Sequence, residues 1–278
     1  IGFKTADSFL EGASIGADGT DRITNLSFDN ASLWKMTGDS VVNALVNNND
    51  ATIDMTQGAD VLNVSEYSGT GGNLIMDTDL ASETDGDKVI LGNAAAGTTF
   101  VQVKDVSLIN GAEVTGVKNL LLITDNSADL AAEFAGKNLN AGGLWDVTPT
   151  IKNGLEAVDA AGNSVGSANE WYLTKLEKVI NNDTETLLDA ADSSYALWRN
   201  TNDSLRQRLG DLRYRNDKTD GDGIWARYTG GRFGRGDFEG RYNMYQLGYD
   251  KADNAKSTYG FAIDSGTGRS DYSFGSGK

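Results

Sequence analysis

Cysteine and histidine are both absent from this 278-residue chain, and proline occurs once. Without histidine, no Ser-His-Asp triad can be assembled from it. Without either residue, zinc sites built on thiolate or imidazole are excluded as well. No disulfide can brace the fold, but disulfides are only common in oxidising compartments, so their lack does not assign the chain to the cytosol. No apolar run approaches the roughly 18 residues of a membrane helix. No Met and no charged-then-apolar leader stands at Ile1, so the first residues read as an internal stretch of a longer polypeptide.

Arginine is scarce in a patterned way: Arg22 alone precedes residue 182, and ten arginines follow it. Residues 1–182 hold 10 Lys or Arg against 25 Asp or Glu, net −15, whereas residues 183–278 hold 14 against 15, net −1. The composition therefore breaks near residue 182. The acidic first part disfavours nucleic acid and anionic membrane surfaces as partners, and favours solubility.

Glycine is plentiful, at 34 residues, and marks a turn-rich chain. Between Leu26 and Val103, short apolar or β-branched runs alternate with Gly, Asn and Asp: Leu33 to Met36, Val41 to Val46, Thr52 to Met55, Val61 to Val64, Leu74 to Met76, Lys88 to Leu91 and Thr99 to Val103. Strands this short and frequent predict an all-β fold. Their spacing is irregular, so a β-sandwich and a right-handed parallel β-helix compete evenly on pattern alone. From about 100 to 175, Asn119 to Thr124, Gly143 to Val147 and Trp171 to Thr174 read as strands. They offer Phe100, Leu122, Trp145, Trp171 and Leu173 as the core of a cap for an otherwise open sheet end.

After the break comes a polar helix. Asn182-Asp183-Thr184-Glu185 is a helix start with Asn182 as N-cap. Leu187, Ala191, Trp198, Leu205, Leu209 and Leu212 recur at helical steps, and Gly210 reads as the residue just past the end. Asp189, Asp192, Arg199, Asp203, Arg206 and Arg208 along it exclude contact with lipid. An amphipathic surface helix and a helix inside a polar pore both remain. Beyond Gly223, period-two faces follow: Gly223 to Tyr228, then Tyr245, Leu247 and Tyr249, then Tyr259, Phe261 and Ile263. One face is aromatic or aliphatic; the other carries Asn243, Gln246, Asp250, Thr258 or Asp264 with small residues. A barrel with lipid outside requires this, and a soluble half-buried sheet shows it too.

The stretches LRQRLGDLR (Leu205 to Arg213), GIWARYTGG (Gly223 to Gly231) and YQLGYDKA (Tyr245 to Ala252) resemble, in that order, the start of the translocator barrel of type Va autotransporters, secretion proteins of Gram-negative outer membranes. Upstream, LWKMTGDSVVNAL, EYSGTGGNLIMDTDL and GDKVILGNAAAGTTFVQV resemble the C-terminal part of a pertactin-like passenger. The resemblance implies β-helix rungs over 1–100, an autochaperone cap over 101–176, a linker and pore-spanning helix over 177–222, and barrel strands, incomplete in number, over 223–278. It implies a signal peptide and most of the passenger upstream. Trp198, Arg199, Leu205, Arg206, Arg208, Gly210, Asp211 and Arg213 would then serve the pore helix, Trp225, Arg227, Gly248, Tyr249 and Asp250 the barrel start, and Trp145, Trp171 and Leu173 the cap core. The implied location is the outer membrane with the passenger at the cell surface. Implied partners are outer-membrane lipid, the barrel-assembly machinery and, through the upstream passenger, a host-cell ligand. In one respect the sequence departs from the family: where some members cut themselves at an Asn-Asn pair, Asp203-Ser204 stands here, which argues against self-cleavage in the pore.

Motifs with catalytic or ligand-binding chemistry are few. Gly38-Asp39-Ser40 is similar to a hydrolase nucleophile, but without histidine it reads as a turn. Asp77, Asp79, Asp85 and Asp87 could suggest calcium; no EF-hand or glycine-aspartate nonapeptide accompanies them, and a solvated acidic turn is expected. Gly69 to Gly72 lacks the Lys-Ser/Thr of a phosphate loop. Arg235-Gly236-Asp237 falls in an expected loop from about Gly230 to Gly240. No cofactor, metal or catalytic residue is assigned. The expected function is export, folding and display of the chain's own passenger, with an adhesin stem, or a β-helix enzyme acting on polysaccharide, as alternatives.

Overall fold

The computed structural model describes residues 1–15, 24–109, 116–139, 144–213, 222–254 and 257–278; for 201–213, 222, 252–254 and 257–258 it describes the backbone alone. The chain is mostly β and divides into two compact units, Ile1–Val179 and Ile180–Lys278.

In the first unit the chain runs through β1 (Gly2–Phe3), β2 (Phe9–Glu11), β3 (Asn25–Phe28), β4 (Leu33–Lys35), β5 (Ser40–Asn48), β6 (Thr52–Asp54), β7 (Val61–Thr70), β8 (Asn73–Thr78), β9 (Lys88–Ala94) and β10 (Gly97–Asp105). A short helix, α1 (Val106–Ile109), precedes β11 (Leu120–Asp125), β12 (Ala132–Gly136), β13 (Trp145–Asn153) and β14 (Glu170–Ile180). Odd-numbered strands from β1 to β11 pair in parallel in one sheet, and even-numbered strands from β2 to β12 in parallel in another. The chain thus passes from sheet to sheet, adding one strand to each in turn.

The register stacks like on like. Leu10, Trp34, Ile53, Leu74 and Val101 form one inward column, and Leu62, Val89 and Ile123 another. Except for the half-buried Leu10, all are buried. Asparagine and aspartate occupy corners, where Asn30, Asn49 and Asp50 take left-handed backbone that these residues tolerate. Successive corners bond to one another: Ala31 N–H donates to Asn49 O at 3.0 Å, and Asn49 N–H to Thr70 O at 3.0 Å. Inside, Asn47 Nδ2 donates to Asn73 O at 3.1 Å.

The parallel run ends where β14 lies antiparallel on β11, pairing Leu120 with Leu173 and Ile123 with Trp171. Leu173 is buried, and Trp171 meets Phe134 edge-on at 5.4 Å. Trp145, expected in the same core, is 40% exposed, with Lys178 Nζ 4.6 Å from its ring centroid. A tryptophan ring can cover surface beneath a cation instead of filling a core.

The second unit holds α2 (Asn182–Arg213) and an antiparallel sheet of β15 (Asp222–Arg235), β16 (Phe238–Asn254), β17 (Ser257–Tyr272) and β18 (Gly275–Gly277) in that order. The helix is capped one residue before the expected Asn182: Asn181 Oδ1 accepts from Thr184 N–H at 2.9 Å, with Asp183 and Glu185 in the first turn. It also runs through Gly210, expected past its end, to Arg213. An internal glycine costs only about 1 kcal/mol relative to alanine, so it does not by itself end a helix. Among the described residues no helix is long and apolar enough to cross a membrane, which leaves strands untouched as a means of crossing.

Candidate functional site

Cross-strand register assigns the two faces of the antiparallel sheet row by row. On one face, Ile224, Tyr249 and Phe261 share a row; Ala226, Leu247 and Ile263 share the next; then Tyr228, Tyr245 and Ser265. Cross-strand aromatic pairs hold these rows together: Tyr228 and Tyr245 are 5.0 Å apart between centroids, Tyr249 and Phe261 6.2 Å. Asn243, expected on the polar face, lies on this one. Its Oδ1 accepts from Tyr228 OH at 2.7 Å, just where the apolar rows end.

On the opposite face the rows read Gly223, Asp250 and Gly260; Trp225, Gly248 and Ala262; Arg227, Gln246 and Asp264; Thr229, Met244 and Gly266; Gly231, Tyr242 and Gly268. Large rings here lie over cross-strand glycines, Trp225 over Gly248 and Phe233 over Gly240. A Cβ at either glycine would strike the ring. This is why Gly248 belongs with Trp225.

α2 packs on that small and polar face. A Cβ on Gly268 would come within 3.0 Å of Leu197 Cδ2, and Ser193 Oγ lies 3.2 Å from Tyr272 OH. Asp189 and Ser193, one turn apart, are buried, while Leu187, Leu188, Tyr195 and Trp198 are exposed. Gln246, Asp250 and Met244 are buried too. Meanwhile Ile224 is 80% exposed, Phe261 69% and Ile263 66%. The helix side of the sheet thus buries Gln246, Gly248 and Asp250 along with Met244 and sets the Trp225 and Phe233 rings over glycines, while Ile224, Phe261 and Ile263 on the other face stay outward, which a soluble half-buried sheet does not show.

Trp198 stands beside Tyr195 at 5.8 Å, and Arg199 is exposed. Leu205, Arg206, Arg208, Gly210, Asp211 and Arg213 lie on the backbone of α2, with their side chains outside the described residues. Trp225, Arg227, Gly248 and Asp250 share the helix-packed face, whereas Tyr249 lies on the apolar one. The expected loop from Gly230 to Gly240 is instead a tight hairpin: Arg235 pairs with Phe238, and Gly236-Asp237 turns the chain with Gly236 at φ 44°. The Arg235-Gly236-Asp237 tripeptide therefore stands exposed at the tip of this turn.

In the first unit, Ser40 is buried; its Oγ donates to Gly38 O at 3.0 Å and accepts from Ser14 N–H at 3.1 Å. Among the described residues, no group of three metal-ligating side chains is arranged to hold an ion. The turn of Asp77, Asp79, Asp85 and Asp87 is not uniformly solvated as expected. Asp87 is fully buried, its carboxylate accepting from Asp60 N–H at 2.8 Å and Asp77 N–H at 2.5 Å. Sequence alone gives no signal for this, because the two N–H groups come from Asp60, just before β7, and Asp77 on β8, in two different sheets.

Burial pushes the Asp87 carboxyl up to about 7, helped by the nearby charges of Asp77 and Asp60 and opposed by its two backbone hydrogen bonds. Asp60 and Asp77 are also raised, chiefly by burial. A raised carboxyl binds more protons folded than unfolded, so its stabilisation is complete below the unfolded value and is lost as pH rises through the folded one. Stability of the first unit is expected to fall by roughly 1 kcal/mol between pH 6 and pH 8. Urea midpoints followed by tryptophan fluorescence at the two pH values check this; a higher midpoint at pH 8 would contradict it.

No family model and no curated protein matches the chain.

Proposed function

We propose that this chain is a stem and membrane-anchor region of a type Va autotransporter, mediating export, folding and surface display of its own passenger. One observation carries the reading: the antiparallel sheet turns its glycine-rich face, with the buried Gln246 and Asp250, to a charged helix and leaves the aliphatic and aromatic rows of Ile224, Leu247 and Phe261 outward. Lipid outside and a polar interior ask for that arrangement. Between the rows of Asn243 and Lys251, β16 supplies about nine residues, the length of a membrane-crossing strand, with Tyr228 and Tyr245 toward one end and Tyr259 at the other. In this reading β15, β16 and β17 are strands of the wall of a closed barrel. α2 is then the helix in the pore, with outer-membrane lipid and the assembly machinery as partners.

The first unit supports the passenger half of the reading. Chain passage between two parallel sheets, inward columns and bonded Asn/Asp corners are features of a right-handed parallel β-helix, and β14 lying antiparallel on β11 fits a cap that seals the open end. The acidic, nearly arginine-free composition suits a segment displayed in water.

Because the chain has no cysteine, single cysteines can carry a polarity-sensitive fluorophore. In phosphocholine detergent micelles, labels at Leu247 and Ile263 are expected to shift to the blue and to be quenched by brominated detergent, and labels at Gln246 and Ala262 to do neither. Equal responses on the two faces, or a stronger one at Gln246 and Ala262, would sink the reading.

A further inference from the structure

Beyond the apolar rows, the same outward face carries a row of one sign. Arg232, Arg241 and Arg269 are direct cross-strand partners on β15, β16 and β17, all exposed. Neighbouring strands lie about 4.8 Å apart, and like charges set directly opposite destabilise a sheet unless something neutralises them. The next row supplies Glu239 and Asp271, and Arg269 Nη2 lies 3.5 Å from Asp271 Oδ1. Two carboxylates do not cancel three guanidiniums. Arg235 adds a further cation to the same open cavity of about 610 Å³, which these six side chains help line.

Position makes the row more than a charge cluster. The tyrosines Tyr228 and Tyr245 end the apolar band, Tyr228 turning its hydroxyl toward Asn243, and the arginines stand two rows farther on. That is about 13 Å along the strands, or about 10 Å along the membrane normal at a tilt of about 40°. The headgroup layer is about 5–7 Å deep, and an arginine can bend its head back toward it.

We propose that Arg232, Arg241 and Arg269 form a docking site for the phosphate of a membrane-lipid headgroup of net negative charge, one with no choline to balance it, on the lipid-facing side of the sheet. The inference rests on the membrane reading above. Guanidiniums grip phosphate oxygens through paired N–H donors, which favours phosphate over a single-point anion. Three unopposed arginines would strengthen binding roughly hundredfold; with Glu239 and Asp271 beside them, about tenfold is expected.

The test uses the whole chain, labelled at Ile263, titrated with mixed micelles of neutral phosphatidylcholine or of phosphatidylcholine doped with phosphatidic acid. Wild type is expected to bind the doped micelles about tenfold more tightly, the triple variant R232Q/R241Q/R269Q to bind both equally, and E239Q/D271N to widen the preference. Equal binding of both micelles by wild type, or an undiminished preference in the triple variant, would overturn the phosphate site while leaving the membrane reading intact. Failure to bind either micelle would overturn both. If free pyrophosphate competes as strongly as phosphatidic acid-doped micelles, the ligand is a soluble anion and the lipid assignment is wrong.

Discussion

Replacing Leu247 and Ile263 together by lysine is expected to abolish association of the chain with detergent or lipid while leaving its folding unchanged. The two residues are cross-strand partners in the middle apolar row, both exposed. A lysine at the midplane of a lipid-facing strand costs about 2–4 kcal/mol, so the pair should weaken partition by about a thousandfold or more. If the face met only water, the same exposed substitutions would shift stability by no more than about 0.5 kcal/mol each, with up to about 1 kcal/mol more from the two facing lysines, and leave detergent binding unaffected. Quenching by brominated detergent measures partition, and a urea midpoint measures folding. Unchanged partition would remove the membrane assignment. A large loss of folding would mean that this face packs on something within the protein.

That contrast could not be drawn from alternation. Ile224, Tyr245 and Ile263 alternate with smaller or polar residues whether the sheet is soluble or membrane-bound; what differs is which face the helix covers, and that depends on Leu197 meeting Gly268. The arginine row is hidden for the same reason, since only register brings Arg232, Arg241 and Arg269 side by side. In the first unit the short apolar runs located β4 to β11, β13 and β14, but not β1, β2, β3 or β12, and not the length of those they found. β7, expected to stop at Val64, continues to Thr70 because its pairing with β5 extends through Asn48, a tertiary cause. No repeat was visible because the steps along the column from Trp34 to Ile53, Leu74 and Val101 lengthen each time. Trp145 and Trp171 look alike in sequence; one rests under Lys178 at the surface, and the other meets Phe134.

Trp34→Ala is expected to remove about 3–5 kcal/mol from the first unit, the cost of truncating a fully buried aromatic side chain. Its ring is wholly buried and stacked on Phe28 at 5.8 Å, with Phe28 in turn stacked on Phe3 at 4.7 Å, and its Nε1 donates to Gly12 O at 2.9 Å. Phe28 belongs to one sheet and Trp34 to the other, so this stack ties the sheets together at one level of the columns. Where each strand pair contacts mainly the pairs before and after it, damage should stay local. Hydrogen exchange should therefore accelerate in β3 to β6 and remain slow in β10, β11 and β14, where Leu120, Ile123 and Leu173 are buried. Trp145→Ala, which removes an exposed ring and one contact with Lys178, should cost no more than about 1 kcal/mol. Equal costs for the two tryptophans, or exchange that accelerates uniformly from β3 to β14, would show that the unit unfolds as a single block and that β11 and β14 are not its most stable part.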